Sequence, residues 1–101
     1  MKLLTKELAS KLPKLYETEE LKGPDKVAIV KWFLPGTQWT WYVVEYDGED
    51  TCFGLVDSGL DHGVEFGYFS LKEISELKSP WKLKVERDLH WIPRKFDSIR
   101  A

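Results

Sequence analysis

Cysteine is almost missing: Cys52 stands alone in 101 residues, so no intramolecular disulfide can form and a reducing compartment is the simplest setting. Histidine is nearly as scarce, with only His62 and His90. A usual metal site wants three or four ligands, and two distant imidazoles supply too few. The longest apolar stretches, such as residues 27–30, are a few residues long, far from the roughly 20 that span a bilayer. The first residues are basic but lack an apolar run and a small-residue cleavage site, which excludes a secretory signal. No Gly-rich phosphate loop and no nucleophile elbow occurs. Positive charge is missing from the middle of the chain: residues 35–65 hold seven acids and no Lys or Arg, although the net charge is only −2.

What is present is an ordinary globular balance, 43% hydrophobic and 32% charged, which argues against disorder. The length allows one core. Five Trp, five Phe and four Tyr are more aromatic surface than so small a domain needs. Thr5 is a plausible N-cap for a helix over 6–12, with Leu8, Leu12 and Leu15 as its apolar stripe and Pro13 as its stop. A charged connector then runs to Gly23-Pro24-Asp25. β-Branched and aromatic runs predict strands over 27–34, 39–46, 51–56 and 64–69, with turns at Pro35-Gly36 and Asp47-Gly48.

Ser70 and Glu73 form a capping box, and Phe69 and Ile74 a hydrophobic staple, for a helix over 71–78 that Ser79-Pro80 ends. Trp81, Leu83 and Val85 alternate with Lys82, Lys84 and Glu86, which reads as a half-buried strand. The tail from Pro93 has no clear pattern. These elements predict a single α+β domain over 1–101. It has an antiparallel sheet of about five strands and two short helices, in the order α-β-β-β-β-α-β.

Several segments also carry a resemblance. Residues 1–8 with Leu12-Pro13 and Leu15-Tyr16, then Trp39-Thr40-Trp41-Tyr42, Phe53-Gly54-Leu55-Val56, Gly67-Tyr68-Phe69-Ser70-Leu71 and Glu86-Arg87-Asp88 resemble domain-of-unknown-function family 2958. This is a small bacterial family carried by plasmids, phages and other mobile elements. The resemblance spans nearly the whole chain, apart from residues 57–64 and the tail after Trp91. It implies a bacterial cytoplasmic setting and a role in element–host conflict or regulation. It brings no activity with it.

The aromatic excess is the main functional signal. A sheet covered on one side should alternate apolar with polar, yet strands 27–34 and 39–46 are apolar on both sides. Two helices of two turns each can hide one face and hardly both. Each aromatic ring buries about 150–250 Å², so a few left uncovered make a patch of the size that marks interaction sites. Trp39, Trp41, Tyr42 and Tyr68 are therefore expected as anchors of a protein-binding face. Glu45, Asp47, Glu49, Asp50 and Glu65 are expected to steer a basic partner onto it. A homodimer that buries the same surface is an alternative.

Glu86, Arg87, Asp88 and His90 form the only chemically mixed cluster. With Glu65 or Glu45 it is the basis of a second alternative, a small hydrolase or metal-assisted enzyme. An Arg flanked by acids is more often a structural ion pair. The 57–63 loop has acids and glycines but not the EF-hand spacing. Cys52 lies in a strand and is expected to be buried and inert. Sheet aromatics invite comparison with nucleic-acid stacking platforms, but those need surrounding Lys and Arg. Here Lys78, Lys82, Lys84, Arg87, Arg94, Lys95 and Arg100 lie late in the chain, away from the aromatic strands, which argues against direct nucleic-acid binding. No catalytic residue, metal ligand or cofactor is assigned from the sequence.

Overall fold

The β-branched and aromatic runs form the centre of the molecule, as a computed structural model describing residues 2–60 and 63–99 places them. Strands β2 (Val30–Phe33), β3 (Thr40–Tyr46), β4 (Thr51–Asp57), β5 (Val64–Ser70) and β6 (Glu86–Arg87) make one antiparallel sheet in the order β5-β4-β3-β2-β6. A separate ribbon pairs β1 (Val27–Ala28) with β7 (Arg94–Lys95). Three short helices complete the α+β domain: α1 (Lys6–Lys11), α2 (Leu71–Glu76) and α3 (Phe96–Ile99). None of the described helices is long and apolar enough to cross a membrane.

Local chemistry accounts for most element ends. Thr5 caps α1 by accepting from Leu8 N at 3.2 Å, and Ser70 caps α2 by accepting from Glu73 N at 3.2 Å. The second half of the α2 cap comes from outside the helix. Asp50 accepts from the Ser70 hydroxyl at 2.5 Å and from Lys72 N at 2.8 Å. The β3–β4 turn is longer than a two-residue hairpin, because the Asp47 carboxylate gathers the amides of Glu49, Asp50 and Thr51.

Three expectations need correction. The run 27–34 is not one strand: it breaks at Ile29, whose amide bonds Val43 O. The break moves Ala28 to the opposite side of the sheet from Val30, Trp32 and Leu34. The run 81–86 is mostly a turn. The Ser79 hydroxyl captures the amides of Trp81 and Leu83, Lys82 adopts φ +63°, and only residues 86–87 reach the sheet. Trp81 is consequently 72% exposed. The tail, unpatterned in the sequence, forms β7 and α3 and covers the second face of the sheet.

One irregularity decides the faces of β3. Its register with β4 slips between Val43 and Glu45, a β-bulge. Strict alternation would put Glu45 on the side of Trp41 and Val43. The bulge puts Tyr46 there instead, and turns Val44 and Glu45 to the other side. Gly54 sits opposite Val43, where a Cβ would meet the Tyr42 carbonyl oxygen, so this crossing requires glycine.

The first face carries Trp32, Trp41, Val43 and Cys52 under Leu3, Leu8, Leu12, Leu71, Ile74 and Val85. Trp32 is completely buried, and its indole donates to Leu3 O at 2.7 Å. The second face carries Tyr42, Val44, Phe53, Leu55 and Phe66 under Ala28, Trp91, Phe96 and Ile99.

Candidate functional site

The second face divides in two. Toward β2, Trp91 packs on Tyr42 with centroids 5.6 Å apart and donates from its indole to Ala28 O at 3.0 Å. Lys31 Nζ lies 5.4 Å and the Arg94 guanidinium 4.5 Å from the Trp91 ring. This half is closed by its own cations. Burial, then the charge of Asp57, pushes the Tyr42 hydroxyl above its ordinary range, against the pull of Arg94.

Toward β5 the face is open. Phe53 and Phe66 stack at 5.8 Å and 11°, and Tyr68 leans on Phe53 at 5.1 Å. These rings share a side because their positions alternate along two paired strands, with Phe53 opposite Tyr68 and Leu55 opposite Phe66. Two hollows flank them. One of about 290 Å³ is lined by Gly23, Pro24, Leu55, Phe66, Phe96 and Asp97. The other, about 320 Å³, is lined by Tyr16, Glu19, Leu21, Lys26, Glu45, Phe53 and Tyr68.

The rim of the second hollow is held rigidly by buried charge. Glu45 is 2% exposed and accepts from Tyr16 N at 2.8 Å, Thr18 N at 3.0 Å and the Thr18 hydroxyl. Lys26, also buried, donates to Thr18 O and to the Thr18 hydroxyl, and its ammonium lies 5.7 Å from the Phe53 centroid. Tyr16 is held at φ +73°, a backbone conformation a bulky side chain resists. The Glu45 carboxylate offsets that strain and keeps the Tyr16 ring 6.4 Å from Tyr68. Tyr68 is 55% exposed. Its hydroxyl is pushed up by desolvation first, then by Tyr16, Glu45 and Glu19.

The residues expected as one site are dispersed. Trp39 and Trp41 stack on each other at 5.8 Å on the first face, while Tyr42 and Tyr68 belong to the second. Trp41 is 4% exposed and Trp39 42%. Glu45 is committed internally by the bulge. Asp47 and Asp50 hold the hairpin turn and the α2 cap. The amides of Glu49 and Asp50 lower the Asp47 carboxyl, and the Ser70 hydroxyl, then the Lys72 amide, lower the Asp50 carboxyl, both below the ordinary aspartate value. Glu49 is exposed in that turn, and Glu65 lies opposite Val56, on the first face.

The Glu86–His90 cluster does not converge either. Arg87 donates to Lys2 O at 2.7 Å, and Asp88 faces Lys31 at 3.8 Å while accepting from His90 N. Glu86 sits opposite Phe33, and His90 is exposed in the following loop. Among the described residues no three or more His, Cys, Asp or Glu side chains gather as metal ligands. Asp61 and His62 lie outside those residues. Cys52 is fully buried, and desolvation, then Asp50 and Asp47, pushes its thiol up to about 12.

Sequence reasoning missed Tyr16, Lys26, Phe53 and Phe66. Phe53, Phe66 and Tyr68 were within reach of a parity argument once 51–57 and 64–70 are paired as a hairpin. Tyr16 and Lys26 carried no signal, because the connector's path depends on the distant Glu45.

Neither the curated proteins nor the solved structures include a match to this chain. The model of the family described as "Protein of unknown function (DUF2958)" matches residues 3–98, and the chain belongs to that family.

Proposed function

We propose that the chain is a non-enzymatic protein-binding module of a bacterial mobile element, capturing a basic partner on the open half of its second sheet face. The observation that carries this reading is the exposed rings of Tyr68 and Tyr16, with the half-buried Phe53 and Phe66 beneath them, beside Glu19. Flat aromatic surface next to unpaired carboxylates suits a Lys- or Arg-bearing segment, whose stems pack on the rings while the cations meet the acids. Glu17 and Glu20 flank Glu19 in the connector and are exposed, so they extend the field that would steer such a segment. The bacterial and mobile-element setting rests on the family resemblance of the sequence.

The test is affinity capture from a bacterial host with the wild type, Tyr68→Ser and Glu19→Lys side by side. The expected result is a basic protein retained by the wild type, released by moderate salt, and lost from both variants. Retention by both variants, or capture that salt does not weaken, overturns the reading.

A further inference from the structure

The two edges of the sheet are unequal. On one side β6 is two residues long, and its Arg87 reaches back to Lys2. On the other, β5 runs for seven residues in unbroken register with β4. Exposed edges are normally blunted by Lys, Pro, a bulge or a covering segment, because unpaired amides and carbonyls recruit another strand. β5 has no Lys, no Pro and no bulge, and Glu65 is its single charge.

The outward groups of β5 can be assigned. Ser58 N donates to Gly63 O and Leu71 N to Asp50 O, at the two ends of the β4–β5 register. Hydrogen-bonded pairs alternate along an antiparallel ladder. Between those ends they therefore fall at Cys52/Phe69, Gly54/Gly67 and Val56/Glu65. Glu65, Gly67 and Phe69 turn their backbone groups to β4, and Val64, Phe66, Tyr68 and Ser70 turn theirs outward. No described residue meets the outward amides and carbonyls of Val64, Phe66 and Tyr68.

We infer that β5 is the docking edge for a second copy of this chain, paired antiparallel about a two-fold axis at Gly67. That register sets Phe66 against Tyr68 of the second copy, and Val64 against its Ser70. Every outward-facing residue of β5 then meets another. Gly67 meets Gly67 in a non-hydrogen-bonded pair, where Cα atoms approach to about 4.5 Å and side chains crowd most. Nothing lies within 4 Å of a Cβ built there, so glycine is not demanded by the chain's own packing. Glu65 faces Phe69 of the second copy, so the only charges on the strand are not opposed to each other. Aromatic rings pair across the axis on the second face, and the two open grooves become one surface shared by both copies. The inference does not depend on what that surface binds.

The experiment is sedimentation equilibrium of the full chain over a wide concentration range, with three variants. The wild type is expected to be a dimer. Gly67→Lys is expected to lose the dimer, since two cations would meet at the axis, while its circular dichroism stays that of the wild type and its melting temperature no longer rises with protein concentration. Gly67→Cys is expected to form an intermolecular disulfide under mild oxidation, because the Cα separation suits one. Glu65→Cys should not, its copies lying about 13 Å apart along the strands. Cys52 contributes no background, being buried with its thiol at about 12. A wild type that stays monomeric at every concentration overturns the inference, as does a dimer that survives Gly67→Lys. Cross-linking of Glu65→Cys as fast as Gly67→Cys overturns the register. If Gly67→Lys fails to fold, the contrast between the two cysteine variants decides alone.

Discussion

The two faces of the central sheet are built from the same kinds of residue but finished differently. The first is roofed by leucines from the amino-terminal segment, with Leu71, Ile74 and Val85, and two of its large rings, Trp32 and Trp41, are sealed in apolar packing, with the Trp32 bond to Leu3 O inside it. The second is roofed by chain with little helix in it, the connector on one side and the tail on the other. There the cover is tied down by single polar links: Glu45 to Tyr16 and Thr18, Lys26 to Thr18, Trp91 to Ala28 O. Such links fix a path without filling the space beneath it, and two hollows remain. The first face also keeps a hollow, about 510 Å³ among Leu4, Leu12, Tyr46 and Leu71, but it lies beside the roof and leaves Trp32 and Trp41 covered. On the second face, by contrast, buried hydrogen bonds position a rim and leave ring surface on the floor.

Mutations should separate the faces in a graded way. The largest effect belongs to Trp32→Ala, which empties the sealed face and removes the bond to Leu3 O. A loss of about 3–5 kcal/mol in urea unfolding is expected. Comparable stability in the variant would mean the first face is not the main core. Glu45→Ala comes next, at about 1–3 kcal/mol, because it orphans part-buried donors on the connector. Hydrogen exchange should accelerate at the amides of Tyr16 and Thr18 while the β3–β4 ladder stays protected. Uniform acceleration across the sheet would deny the connector its independence.

Acid should reveal the turn between the faces. The folded carboxyls of Asp47 and Asp50 titrate below the 3.8 of an unperturbed aspartate. Their stabilisation is therefore present above that pH and is lost as pH falls through the lower folded values. Unfolding curves across this range should show the difference between wild type and Asp50→Asn constant near neutrality and shrinking below pH 3.8. A difference independent of pH would mean that the Ser70 and Lys72 bonds do not need the charge. The smallest stability effect is expected for Tyr68→Ser, under about 1 kcal/mol because the ring is more than half exposed. A larger loss by thermal melting would place Tyr68 in the core and remove it from the proposed surface.

Much of the fold was legible in the residues. The Thr5 and Ser70 caps, the three strand runs from 39 to 70 and the antiparallel α+β class all follow from local propensity and pattern, and the structure has them. Legibility failed where a single side-chain bond or one extra residue overrode the apolar period. Trp81, Leu83 and Val85 have the period of a strand, but the Ser79 hydroxyl and the backbone of Lys82 turn that stretch outward. Glu45 has the parity of the Trp41 face, and one extra residue at the bulge reverses it. Of the expected site only Glu45 went with that reversal; Trp41 and Tyr42, adjacent in β3, face opposite sides whatever the bulge does.

The sequence by itself determined which stretches extend, where the first two helices start, and that acids without compensating cations occupy the middle of the chain. Those properties depend on side chains and backbone a few residues apart. Which rings are sealed, which carboxylates are bound internally and which strand ends up bare at the sheet's edge were decided only in three dimensions. Each depends on what the connector and the tail lie against, and that is set by partners tens of residues away, such as Glu45 for Tyr16 and Ala28 for Trp91.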